Sequence, residues 1–207
     1  MSKNKISILY VVSTLRQSGP TNQLLGIVSN LDESKYDAHV LTLSSEPNNT
    51  RINDFINSNV KVTSLNLSRL EYQLKGKQSL KKYISKFNPD VIHTSGVRAD
   101  TVVSKLDISQ KHCMTVRNYA YDDYIAKFGS FVGKITAKSS IESMKRCEYV
   151  VCCSKTLKDM YMKILPQELF VVQNGVNTTK FKPANIEKKL LYAIVSVFQI
   201  TKLSLLQ

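Results

Sequence analysis

ISILYVVSTLRQSGPTNQLLGIVSNL, residues 6–31, decides the fold. The run Ile6–Val12 is almost entirely apolar and rich in β-branched residues, as a strand buried on both faces requires. A polar loop, RQSGPTNQ, follows it. Leu24, Ile27, Val28 and Leu31 then mark one helix face at i, i+3, i+4, i+7. Pro20 suits the first turn of that helix, where its missing N–H costs nothing.

The same unit recurs along the chain. Strand-like runs occupy 38–43, 60–65, 90–94, 113–116, 149–153 and 169–172. Helical patterns lie between them: a short one at 52–56, a face of Leu80, Tyr83, Ile84 and Phe87 that Asn88-Pro89 ends, one at 100–106, a long one at 124–145, and one capped by Ser154. About seven strands alternating with helices predict an α/β, Rossmann-like, doubly wound parallel sheet. Ligands of such sheets bind at the carboxyl ends of the strands. The loops at 15–22, 44–50, 94–98, 117–122, 153–155 and 173–178 are therefore where chemistry is expected.

Composition bounds the partners. The chain has 207 residues, 43% of them hydrophobic, enough for a substantial core. It carries 29 Lys and Arg against 16 Asp and Glu, a net charge of +13, which suits phosphate-bearing molecules, an anionic membrane surface or nucleic acid. Nucleic acid is not expected as a partner: there is no Arg-rich tail, no aromatic-basic interleaving and no zinc-finger spacing. The four cysteines, 113, 147, 152 and 153, make no metal spacing with the histidines and read as reduced thiols. With no secretory signal at the start and no apolar run long enough to span a bilayer, a cytoplasmic location is expected.

Several loops carry candidate residues. Ser18-Gly19-Pro20 precedes a helix N-terminus, so it is either an anion site or a plain tight turn. His93 faces the cleft or the core, and Ser95 and Gly96 lie just past their strand. Arg117 and Asn118 end the fifth strand, where a guanidinium can hold a carboxylate or phosphate. Asp122 and Asp123 read as a base, a metal ligand or a solvated helix start. The 125–146 stretch carries Lys127, Lys134, Lys138, Lys145 and Arg146 against Glu142 alone. It reads as a basic helix lying on anionic lipid or as a solvated face.

Taken together, SGPTNQLL, NPDVIHTSG, TVRNYAYDDY, VVCCSK and NGVNTTKFKP resemble the retaining glycosyltransferases of family 4, which have the GT-B fold, and among them the members that build capsular or surface polysaccharides. The resemblance covers residues 6–183. It implies that 1–183 form a GT-B N-terminal, acceptor-side domain and that 184–207 form a truncated linker or tail. It also implies a metal-free transfer with no cofactor beyond the nucleotide-sugar co-substrate.

By the same resemblance Gly19 faces the donor diphosphate, with Pro20 and Asn22 beside it. Arg117 stands where the family often has a His near the reaction centre. His93 matches a strand-end His, with Ser95 in place of a second one. Arg117 and His93 are thus the catalytic candidates. Gly19, Pro20, Asn22, Ser95, Gly96, Asn118, Asn174 and Gly175 are the substrate-binding candidates.

The expected acceptor is a glycan or lipid-linked molecule at the inner face of a bacterial plasma membrane. The nucleotide-sugar is expected to bind only with a C-terminal domain, so this chain is expected to be inactive alone. A non-catalytic fragment that binds membrane or glycan, or a basic nucleic-acid binder, are the alternatives. The apolar stretch 190–200 is expected to dock as a helix or to remain exposed.

Overall fold

The computed structural model describes residues 5–183. The chain divides into a unit Met1–Gly175 and a second unit that begins at Val176. The expectation for 190–200 falls outside the described residues.

The first unit alternates β1 (Ile6–Val12), α1 (Gly19–Val28), β2 (Tyr36–Ser44), α2 (Ile52–Asn57), β3 (Lys61–Leu67), α3 (Arg69–Phe87), β4 (Val91–Ser95), α4 (Val97–Val103), β5 (Lys111–Val116), α5 (Ala120–Phe128), α6 (Ser130–Lys145), β6 (Tyr149–Cys152), α7 (Lys155–Tyr161) and β7 (Leu169–Val171). The seven strands form one sheet in the order β3-β2-β1-β4-β5-β6-β7, and every pairing is parallel. This is the doubly wound arrangement expected from the sequence. The order reverses between β1 and β4, whose carboxyl ends part to open a crevice.

Period-2 alternation explains why β1 sits centrally. Leu9 and Val11 pack with Leu80, Ile84 and Val103 of α3 and α4, while Tyr10 and Val12 pack with Leu24, Val28 and Phe55 of α1 and α2. A third cluster joins Met114, Val116 and Val150 of β5 and β6 to Ala137, Ile141 and Met144 of α6 and Tyr161 of α7. α3 opens on a capping box, Ser68 with Glu71, and closes on Asn88 at φ 49°. That is how the Asn88-Pro89 stop works, since Asn tolerates the left-handed region.

The expected single helix at 124–145 is two helices. Gly129, at φ 77°, ends α5 and starts α6. A side chain there would be strained, so glycine lets the chain turn back. Gly133 completes the elbow: a Cβ on it would lie 2.5 Å from both Ile125 Cα and the Tyr124 carbonyl oxygen. The helix expected at 100–106 begins earlier, at Val97, because Gly96 at φ 101° is its N-cap. None of the four cysteines is paired in a disulfide.

In the second unit, Asn177 folds NTTKF into a local turn. Its side-chain oxygen accepts from Thr179 N at 3.0 Å and Lys180 N at 2.9 Å. Its carbonyl accepts from Phe181 N at 2.9 Å.

Candidate functional site

A cavity of about 250 Å³ opens at the carboxyl ends of β1, β4 and β5. Its floor is strand-end chemistry: Tyr10 and Val12 from β1, His93 and Ser95 from β4, and Arg117 just past β5. Registers put these side by side, with Tyr10 opposite His93 and Val12 opposite Ser95. Its rim is the β1–α1 loop with Ser13, Thr14, Arg16 and Ser18, followed by Pro20 and Thr21 of α1.

That loop is held from outside. The Glu46 carboxylate accepts the Leu15 N–H at 3.0 and 2.9 Å and the Thr50 hydroxyl at 2.6 Å. Arg51 N donates to the Leu15 carbonyl at 2.8 Å, and Gln17 N to the Asn49 carbonyl at 2.9 Å. Ser18 caps α1 by accepting from Thr21 N at 3.3 Å, and Thr21 Oγ1 donates to the Arg16 carbonyl at 2.6 Å. The first turn of α1 contains no acidic residue of its own, and the positive end of a helix suits an anion.

Arg117 donates from its guanidinium to the Ser95 hydroxyl. Its Nε is buried with no partner. Burial lowers its pKa, against the pull of Cys153 and Asp100. With Arg16 it brings two cations to one small cleft.

His93 lines this cleft and is also packed. Its Nε2 lies 2.7 Å from Thr115 Oγ1, and its ring sits 5.1 Å from the Tyr10 ring. Burial first, then the charges of Arg117 and His112, hold its pKa down at about 4, so the ring is neutral near pH 7. A neutral imidazole bonded to a hydroxyl can orient a substrate oxygen, and a pKa this low makes it a weak base.

Sequence reasoning missed Asp100, which is buried beneath the β4–α4 turn. Burial pushes its pKa up to about 7, opposed by hydrogen bonds from Thr94 and the Gly96 N–H and by the charge of Arg117. One of its oxygens, Oδ1, has no partner. On the same face, Thr94 Oγ1 meets His112 Nε2 at 3.0 Å, and burial holds the His112 pKa at about 4.

Of the expected site residues, Arg117, His93, Ser95, Gly96 and Pro20 line the cleft together. Gly19 lies between two wall residues without being part of the wall, and a Cβ on it would meet nothing within 4 Å. Asn22 lies outside the wall, its side-chain oxygen accepting from the Arg51 guanidinium. Asn118 is exposed beside Arg117, and its carbonyl accepts from the Tyr161 hydroxyl at 3.0 Å. Gly175 meets α1, its carbonyl accepting from Gln23 Nε2 at 3.0 Å, with Asn174 just before it; neither is in the wall.

Asp122 and Asp123 fall in the first turn of α5. Among the described residues, no three His, Cys, Asp or Glu side chains gather as a metal site. Tyr10, Thr14 and Arg16 are wall residues that the sequence did not single out. Arg16 had a signal, since it opens the same loop as Gly19.

The sequence profile described as Glycosyltransferase Family 4 matches residues 18–180. The O-antigen biosynthesis glycosyltransferase WclY of Escherichia coli is 26% identical over 182 residues, which are 83% of this chain and 45% of that protein. The chain thus spans about half the length of the curated relatives it matches. HepE of Anabaena, solved in complex with UDP-glucose, superposes with a TM-score of 0.67 at 12% identity, over 87% of this chain and 47% of that one. The lipopolysaccharide outer core galactosyltransferase WaaB, in its apo form, superposes with a TM-score of 0.56 at 12% identity, over 83% of this chain and 46% of that one. The structural likenesses establish a Rossmann-like half of the GT-B fold, and the profile covers most of the chain, which therefore belongs to glycosyltransferase family 4.

Proposed function

We propose that the chain is the acceptor-side half of a sugar transferase that extends a surface glycan or a lipid-linked acceptor. One observation carries the reading. At the topological switch point, Arg117, Arg16 and the N-terminal end of α1, whose first turn holds no acidic residue, converge on one cleft beside a neutral His93. Fixed donors and cations of this kind hold a diphosphate and stabilise charge as it develops on a leaving group. The relative named for O-antigen biosynthesis supports a surface polysaccharide as the product.

In this reading Arg117 and His93 act on the substrate, with the Ser95 hydroxyl, the backbone at Gly19 and Gly96, and Pro20 shaping its seat. Asn22, Asn118, Asn174 and Gly175 support the loops around it. The nucleotide-sugar is the co-substrate and needs a second domain, because transfer requires two oriented reactants. No metal ion takes part. The setting is the cytoplasmic face of the membrane, where a lipid-linked acceptor presents its head group.

Calorimetry with inorganic pyrophosphate tests the cleft. Saturable binding that weakens when Arg117 is replaced by Ala is expected. Absence of binding to the folded chain overturns the reading.

A further inference from the structure

The elbow between α5 and α6 carries an unusual surface. Phe128 is 45% exposed, Phe131 79%, Val132 52% and Ile135 57%. Phe131 and Ile135 are four apart on α6, and Val132 and Ile135 three apart, so they share one side of the helix. The opposite side is already used, since Ala137, Ile141 and Met144 are in the core. Rotating α6 to hide the exposed residues would therefore expose buried ones. Gly133 locks the arrangement, because its backbone lies against Tyr124 and Ile125 of α5.

The rim of this patch is basic. Lys127, Lys134 and Lys138 are exposed, and no acidic residue occurs between Asp123 and Glu142. The Lys127 ammonium sits 5.4 Å from the Phe128 ring centre. Apolar rings at the tip with long cationic side chains around them match a bilayer interface, where lysines reach anionic head groups while rings enter the acyl boundary. A second exposed pair, Leu70 and Leu74 on α3, lacks this charge pattern: Glu71 lies beside it and pairs with Lys75 at 2.9 Å.

We propose that the α5–α6 elbow docks on an anionic lipid surface through Phe128, Phe131, Val132 and Ile135, with Lys127, Lys134 and Lys138 against the head groups. α5 begins three residues after Arg117, so the docked element and the cleft belong to one β–α connection. Its place in catalysis rests on the reading of a lipid-linked acceptor given above, whereas the docking itself rests on the patch.

The test is sedimentation of the full chain with phosphatidylcholine vesicles, with and without phosphatidylglycerol. Binding is expected only with the anionic lipid and is expected to fall with added salt. Lys134→Gln and Lys138→Gln should each weaken it about fivefold, and Phe131→Ser should weaken it at least as much. Leu74→Ser should leave it unchanged. All are exposed positions, so circular dichroism and melting should match the parent.

Equal binding to both vesicle types, or full binding by the Phe131→Ser and lysine variants, overturns the proposal. So does a concentration-dependent dimer that Phe131→Ser abolishes while vesicle binding is absent, because the patch then faces a second copy. Pyrophosphate binding should survive in the patch variants. Its loss in the parent with vesicle binding intact would remove the cleft reading and leave the docking.

Discussion

Arg117 joins the ends of β5 and β4 across the cleft floor by donating to the Ser95 hydroxyl, while its own Nε is left buried and unpaired. A guanidinium held by one arm keeps a second edge for a ligand. Arg117→Lys keeps the charge and loses the planar fork, so pyrophosphate affinity should fall about tenfold or more. Arg117→Ala should lose more affinity without lowering the melting temperature, because a poorly satisfied buried charge is removed. Calorimetry and melting on the three proteins check this. Parent-like binding by Arg117→Lys would show that the fork holds nothing.

Two glycines separate backbone strain from ligand approach. Gly96 sits at φ 101°, so Gly96→Ala should cost about 1–3 kcal/mol of stability although a Cβ there has open space. Gly19 has open space and no such backbone strain. In the proposed function the anion sits against the Gly19 backbone, so Gly19→Ala should melt like the parent yet bind pyrophosphate more weakly. Unchanged binding would remove Gly19 from the site.

The buried titratable groups pull stability in opposite directions with pH. His93 and His112 have folded pKa values of about 4, below the unfolded value near 6.5. The unfolded chain therefore binds their protons first on acidification. Stability falls as pH drops below about 6.5, with a slope of about 1.4 kcal/mol per pH unit for each histidine. Asp100 is raised to about 7, so its contribution is present below about pH 4 and is lost as pH rises towards 7. Between about pH 4 and 7 it therefore opposes the loss caused by the two histidines, and Asp100→Asn should make stability fall more steeply as pH drops through that window. Denaturant unfolding across pH reads this directly, and an unchanged slope between about pH 4 and 7 would mean that Asp100 is ionised throughout.

Tyr161 clamps the loop that follows Arg117. Its buried hydroxyl accepts from Ala120 N at 2.8 Å and donates to the Asn118 carbonyl at 3.0 Å. Tyr161→Phe leaves both backbone groups without that partner and should cost about 1–3 kcal/mol. Pyrophosphate binding should weaken as well, because Arg117 sits on the freed segment. A stability loss with unchanged affinity would mean that the clamp is structural only.

The elbow has its own test. Gly133→Ala places a methyl against backbone atoms that cannot rotate away. It should cost about 1–3 kcal/mol by forcing α6 off α5. Gly76→Ala should be milder, since its near contact, at 3.0 Å, is the Tyr72 ring. Melting curves that rank the two in the reverse order would contradict the tight crossing.

The strands were legible because parallel strands buried on both faces read as continuous apolar runs, and Ile6–Val12 matches β1 to the residue. The strand order was not legible residue by residue, because pairing β1 with β4 is a long-range choice that local pattern does not record. The break at Gly129 was missed because a glycine that turns a chain looks the same as one a helix tolerates. Asp100 entered only as the first residue of the expected 100–106 helix, and nothing in the local pattern marks it as buried. It is buried because the seven-residue α4, capped at Gly96, follows the central strand β4 directly and turns Asp100 in its first turn inward. Arg117 and His93 were visible as strand-end residues. Only the fold shows that they share a wall with Tyr10 and Arg16.

The most direct measurement is sugar transfer to membrane acceptors from a panel of nucleotide-sugars. This chain would be joined to the C-terminal half of the O-antigen relative, with and without Arg117→Ala. The account predicts transfer by the joined protein, none by the chain alone, and a loss of at least about tenfold with Arg117→Ala. Transfer that Arg117→Ala leaves untouched, or no transfer by a folded joined protein that binds pyrophosphate, would contradict it.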